Sequence, residues 1–225
     1  MKLRLIATAA AFALVAGAAQ AQTVGHVGAN YSQTEVEAGG FEADSDAFQV
    51  EGAVGFDLGG LGAQLDAAVT DSDDADAVFA GTAHLNTNLG GARVGGFAGA
   101  VASDDADLWA VGAEAQADLG AKTVLYGQLG YGQSDDLGEI DAWAGRAELR
   151  HYYTDNFKVA ASLGFVNAES DLGGELEGWN AGVEAEYQFA STPFSVYGGY
   201  TRTEFDDVDV SGDTFQVGVR YTFGG

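Results

Sequence analysis

The residue pattern of this chain has a period of two, and it recurs from end to end. Phe48, Val50, Gly52, Val54 and Phe56 alternate with Gln49, Glu51, Ala53, Gly55 and Asp57. Trp179, Ala181, Val183, Ala185, Tyr187 and Phe189 alternate with Asn180, Gly182, Glu184, Glu186 and Gln188. Phe215, Val217, Val219, Tyr221 and Phe223 alternate with Thr214, Gln216, Gly218, Arg220 and Thr222. Successive side chains of a strand point to opposite faces, so each segment has one apolar face and one polar or small face. Twelve such segments are predicted, near 22–33, 45–57, 60–70, 76–87, 91–102, 107–118, 121–132, 140–151, 156–167, 176–189, 193–203 and 212–223. No helical period interrupts them, and the expected fold class is all-β.

The connections alternate in kind. Leu58-Gly59-Gly60, Asn88-Leu89-Gly90-Gly91, Leu119-Gly120-Ala121, Tyr153-Thr154-Asp155-Asn156 and Ala190-Ser191-Thr192-Pro193 are tight and nearly uncharged. The other six, near 33–46, 71–76, 103–107, 133–141, 168–177 and 203–213, hold 25 of the 34 carboxylates. The hairpin is therefore the repeat unit, with short turns at one end and acidic loops at the other. A transmembrane β-barrel has that asymmetry, and each segment has room for the roughly 9–11 residues of a tilted membrane-crossing strand.

Charge and composition narrow the partners. Nine Lys and Arg against 34 Asp and Glu give −25, which excludes nucleic acid as a partner. Apolar content of 47% excludes a disordered acidic chain. The absence of Cys removes disulfides, thiolate nucleophiles and thiolate metal sites. Met1-Lys2-Leu3-Arg4, an apolar run from Leu5 to Ala16, and Ala19-Gln20-Ala21 read as a cleaved signal peptide over 1–21. Residues 22–225 then form one barrel domain.

Aromatic residues mark two levels. Tyr31, Phe48, Phe79, Trp109, Tyr131, Trp143, Phe165, Trp179, Tyr200 and Phe215 lie on apolar faces beside the acidic loops. Phe56, Phe157, Phe189, Phe194 and Phe223 form a sparser ring near the tight turns. Amphipathic rings with aliphatic residues between them suit the two headgroup levels of a bilayer.

The ending Gln216-Val217-Gly218-Val219-Arg220-Tyr221-Thr222-Phe223 resembles the C-terminal signal read by the barrel-assembly machinery. It has a polar residue, a Gly two later and two aromatics spaced by one. In most such barrels the Phe is last, whereas Gly224-Gly225 follow here. With the leader and the hairpin repeat, the chain resembles a Gram-negative outer-membrane β-barrel of the porin-like kind. That resemblance implies an antiparallel up-and-down barrel of about twelve strands in the cell outer membrane, with periplasmic termini. It also implies outer-membrane lipid, lipopolysaccharide and the assembly machinery as partners.

Twelve strands tilted by about 40° enclose a backbone radius of roughly 12 Å. Glu51, Asp66, Glu114, Arg146, Glu148, Arg150, Glu184, Glu186 and Arg202 are the expected pore-lining residues. Arg93, Lys158 and Arg220 join them among inward charges, between small residues such as Ala53, Ala68, Ala80 and Gly112. Arg146 and Arg150 could face Glu51 and Asp66 across a water-filled path, creating a transverse field. The opposing expectation is a plug, with Glu148, Glu184 and Glu186 neutralising Arg146, Arg150 and Arg202. An open lumen implies passive diffusion of small hydrophilic solutes, with the acidic mouth favouring cations. A closed one implies a structural or adhesive barrel acting through its loops.

Enzymatic readings fare poorly. Hydrolysis by a lipase-type site needs Ser, His and an orienting group together. His26 and His151 belong near the tight turns and His84 faces inward, none beside a suitable Ser. No cofactor is implied. Asp71-Ser72-Asp73-Asp74-Ala75-Asp76, Asp104-Asp105-Ala106-Asp107 and Asp206-Asp207-Val208-Asp209 offer hard oxygen ligands without EF-hand spacing. Loose association of divalent cations at these loops is the expectation.

Overall fold

The computed structural model describes residues 23–73, 76–103, 107–134, 140–170, 174–206, 208 and 210–224. The leader over 1–21 lies outside them, as do Asp74, Asp104, Asp105, Asp207 and Asp209 of the acidic runs. Twelve strands follow one another: β1 Val24–Ala38, β2 Phe41–Asp57, β3 Leu61–Ser72, β4 Val78–Leu89, β5 Ala92–Ala102 and β6 Asp107–Gly120 come first. Then come β7 Thr123–Ser134, β8 Ile140–Thr154, β9 Phe157–Ser170, β10 Gly174–Gln188, β11 Phe194–Phe205 and β12 Val210–Phe223. Each pairs antiparallel with its sequence neighbours, and β1 pairs with β12 from Gly25↔Phe223 to Ala38↔Val210. The sheet is a closed up-and-down barrel without an unpaired edge.

The described residues contain no large fully buried side chain, because the apolar face points outward. Leu163 is 65% exposed, Val217 60%, Leu85 59% and Trp143 52%, an arrangement stable only with lipid around it. The inward face instead holds a polar network. Asn30 Nδ2 donates to Gln49 Oε1 at 3.0 Å and to the Tyr197 hydroxyl at 3.2 Å, and Gln49 Nε2 donates to Thr70 Oγ1 at 2.9 Å.

The strands extend further than the sequence pattern suggested. The expected acidic loop over 33–46 is strand nearly throughout: β1 and β2 stay paired up to Ala38↔Phe41, and only Gly39 and Gly40 turn. Both have positive φ, 55° and 83°, as a two-residue hairpin of primed type requires. Glu35, Glu37, Glu42, Asp44 and Asp46 continue the alternation on the outer side, so charge had replaced apolarity without ending the period. Strands of up to 17 residues exceed what the bilayer requires and project beyond it at the acidic end.

Loop-end aromatics meet this outer carboxylate collar directly. The Tyr131 hydroxyl donates to Asp141 Oδ1, and the Tyr200 hydroxyl donates to Asp213 Oδ1, both at 2.5 Å. At the other end the ring is uneven. Tyr153, Phe157, Tyr187, Phe189, Phe194, Tyr221 and Phe223 crowd β8 to β12, whereas β3 to β7 present Leu61, Leu89, Leu119 and Leu125 there.

Many glycines have a specific job. Phe97, Phe165, Tyr197, Phe205 and Phe223 stand directly opposite Gly112, Gly145, Gly218, Gly178 and Gly25 in the register. Each ring lies across the neighbouring glycine: a Cβ at Gly218 would sit 2.5 Å from Tyr197 Cζ, and one at Gly178 2.6 Å from Phe205. The glycine supplies the seat and the aromatic covers its backbone. Gly218→Val should therefore displace Tyr197 and lower the urea midpoint of the refolded barrel by an amount worth about 1–3 kcal/mol.

Candidate pore and its charged belt

Inward charges occupy the middle and the tight-turn half of the barrel, whereas the inward positions of the acidic-end half are uncharged, some small (Thr34, Ser45, Ala142, Ala168) and some large and apolar (Leu108, Leu176, Phe205). The belt has two clusters. In the first, Arg220 from β12 reaches Glu51 on β2 at 3.0 Å and Glu186 on β10 at 2.8 Å. Lys158 on β9, the register partner of Glu186, approaches it at 2.7 Å and Glu184 at 3.7 Å. Ser195 donates to Glu186 at 2.6 Å. The Arg220 guanidinium lies over the Tyr197 ring, 4.6 Å from its centroid, and the Tyr197 side chain is buried beneath it.

The second group of charges follows the barrel from β3 round to β8. His84 on β4 has Asp66 on β3 at 3.0 Å from Nε2 and Glu114 on β6 at 2.8 Å from Nδ1. The Tyr126 hydroxyl on β7 donates to Glu114 Oε2 at 2.8 Å. Arg146 and Arg150, two positions either side of Glu148 on β8, both bond its carboxylate. Phe97 on β5, the register partner of His84, lies on Gly112 with its ring centroid 6.0 Å from the imidazole.

All these ion pairs run along the wall. They join residues of one strand, adjacent strands or strands two apart, and none among the described residues crosses the barrel. The pairing is thus local, between neighbours on the wall, and does not close the lumen. Two interior cavities of about 480 and 510 Å³ share Gln64, Asp66, Ala80, Thr82, Arg146 and Arg150 as lining. The second also touches Glu51 and Arg220. Water of liquid density occupies about 30 Å³ per molecule, so each space holds many waters.

Among the expected lining residues, Glu51, Asp66, Glu114, Arg146, Glu148, Arg150, Glu184 and Glu186 stand on the inner face. Arg202 does not. It shares the parity of Tyr200 on β11, the outward one, and bonds Asp213 at 2.6 Å and Glu204 at 3.0 Å on the outer collar. Its spacing of two from an outward tyrosine already carried that information. Glu184 and Glu186 accordingly meet Lys158 and Arg220, not Arg202. Sequence reading missed the inward aromatics Phe97, Tyr126, Tyr197 and Phe205; Phe97 is the register partner of inward His84, Tyr126 shares parity with Gln128, and Tyr197 and Phe205 share it with Ser195. His151 faces out, 2.9 Å from Thr123 Oγ1 and edge-on to Tyr153.

The chain matches the model of the outer membrane protein beta-barrel domain over residues 5–223. It belongs to that family. The outer membrane is therefore its location, and the outward Leu, Val and aromatic side chains face lipid there. No curated protein matches the sequence. Among solved structures, the NanC porin aligns with TM-score 0.64 at 10% identity, covering 87% of this chain and 100% of that one. An outer membrane channel from Pseudomonas putida F1 aligns with TM-score 0.63 at 16% identity, covering 90% and 96%. The KdgM porin, solved in complex with disordered oligogalacturonate, aligns with TM-score 0.62 at 9% identity, covering 87% and 99%. At such identities the likeness is one of fold.

Proposed function

We propose that this barrel is a passive channel for small hydrophilic solutes, with cations preferred at its mouth. The observation that carries the reading is the wall-parallel course of the ion pairs, which leaves water-sized space between charged walls. A plug made of salt bridges would need pairs joining opposite strands.

The cation preference rests on the mouth. Inside, Glu51, Asp66, Glu114, Glu148, Glu184 and Glu186 are nearly balanced by Arg93, Arg146, Arg150, Lys158 and Arg220. Around the entrance, the outer collar and the acidic connections carry carboxylates with little compensation, and such a rim raises the local cation concentration. An anionic polymer such as the oligogalacturonate of the KdgM complex would meet those carboxylates first, so that ligand is not carried over. The same collar faces the lipopolysaccharide level, where divalent cations bridge carboxylate and phosphate, and β12 presents the ending read during assembly. Catalysis is no part of the proposal, since the described partners of His84 are carboxylates and no Ser stands beside it.

Refolded residues 22–225 in a planar bilayer with a salt gradient should give discrete current steps and a reversal potential of cationic sign. Stable insertion without conductance overturns the channel reading and leaves the closed barrel acting through its loops. Steps with no cation preference overturn only the role of the mouth.

A further inference from the structure

We infer that the pore favours zwitterionic solutes, of the size of an amino acid or dipeptide, over neutral solutes of equal size. The inference rests on the channel reading and names its substrate class. On one side of the shared cavities stand Arg146 and Arg150, whose side chains are 48% and 33% exposed to the lumen. They share the single carboxylate of Glu148, so these three residues of β8 carry one positive charge in excess. On the other side stands Asp66, 34% exposed, in a cluster where Asp66 and Glu114 share only His84. Among the described residues Asp66 itself bonds only His84 and Gln64, so no arginine or lysine neutralises its carboxylate where it stands. Glu51 adds a second carboxylate beside it, largely committed to Arg220.

The two walls are close enough to line the same cavities, yet no ion pair joins Arg146 or Arg150 to Asp66 or Glu51. Beside Asp66 the cavity wall on β3 and β4 is made of the small side chains Ala68, Ala80 and Thr82. Gln64 Nε2 donates to both Asp66 oxygens, at 2.8 and 3.1 Å, and holds that carboxylate in place. Glu148 likewise holds both arginines. An unclosed gap between fixed opposite charges suits a molecule carrying its own carboxylate and ammonium at opposite ends. The carboxylate turns to the arginines and the ammonium to Asp66. A free anion or cation finds one favourable wall and one unfavourable, and a neutral polyol gains nothing from the field.

The test is isosmotic swelling of liposomes carrying the refolded mature chain, with glycylglycine and xylitol as solutes of similar mass. Glycylglycine should enter about fivefold faster than xylitol, the ratio that one exposed ion pair's worth of attraction sets. The ratio should fall to about one in R146Q/R150Q and, independently, in D66N, which alters the opposite wall and keeps the test usable if the double variant fails to fold. Equal entry of the two solutes into wild-type vesicles overturns the inference, as does a ratio unchanged in both variants. Entry of neither solute, with the protein inserted, overturns the channel itself.

Discussion

Val183→Arg should strongly destabilise the inserted barrel, while Ser162→Arg, opposite the adjacent position on the neighbouring strand, should be tolerated. Val183 lies on β10 midway between Trp179 and Tyr187, the residues of that strand at the two aromatic levels, and is 49% exposed on the outer face. An arginine at the middle of the lipid face costs about 2–4 kcal/mol, since its guanidinium must be drawn from water into hydrocarbon. Ser162 pairs with Gly182 on the inner face, where an arginine extends into a hydrated lumen. Urea unfolding of both variants in lipid vesicles checks this. The expected result is a large fall in midpoint for Val183→Arg and a change within about 1 kcal/mol for Ser162→Arg. Equal losses would mean that the faces are assigned wrongly.

The second large effect belongs to Arg220. Its guanidinium bridges Glu51 and Glu186 across the seam where β12 meets β1, and its side chain is only 17% exposed. Arg220→Ala leaves two carboxylates facing each other over Tyr197 with only Lys158 nearby, and should destabilise the barrel by about 2–4 kcal/mol. Arg220→Lys should recover only part, because a single ammonium lacks the fork that reaches both carboxylates. Adding Glu51→Gln and Glu186→Gln to Arg220→Ala should restore most of the lost stability, as the stranded charges are then gone. If that triple variant remains as unstable as Arg220→Ala, the arginine acts through its packing on the Tyr197 ring instead.

Much of this was legible before any coordinates. The period of two names the strands, their number and the outward face, because alternation is a local consequence of backbone geometry. Where the pattern misled, the reason was equally local. Glu35, Glu37, Asp44 and Asp46 looked like loop because they are charged, yet they keep the alternation, and a strand that leaves the bilayer has no need of apolar residues. Arg202 was assigned to the lumen by its charge, although its distance of two from Tyr200 placed it outside. The role of the strand glycines was not legible: the register places Gly25, Gly112, Gly145, Gly178 and Gly218 beneath rings on the strand alongside.

The sequence by itself determined the all-β class, the twelve strands and which side chains face lipid, since each depends on neighbours a few residues apart. Only the closed barrel decided which charges meet. Arg220 lies 169 residues from Glu51 and Asn30 lies 167 from Tyr197, and their contact depends on β12 closing on β1 in one register. Closure also decided that Arg146 and Arg150 look across open space at Asp66, because curvature alone brings β8 opposite β3. A strand specifies its own two faces, but the strand it confronts across the lumen is set by the circumference of the whole sheet.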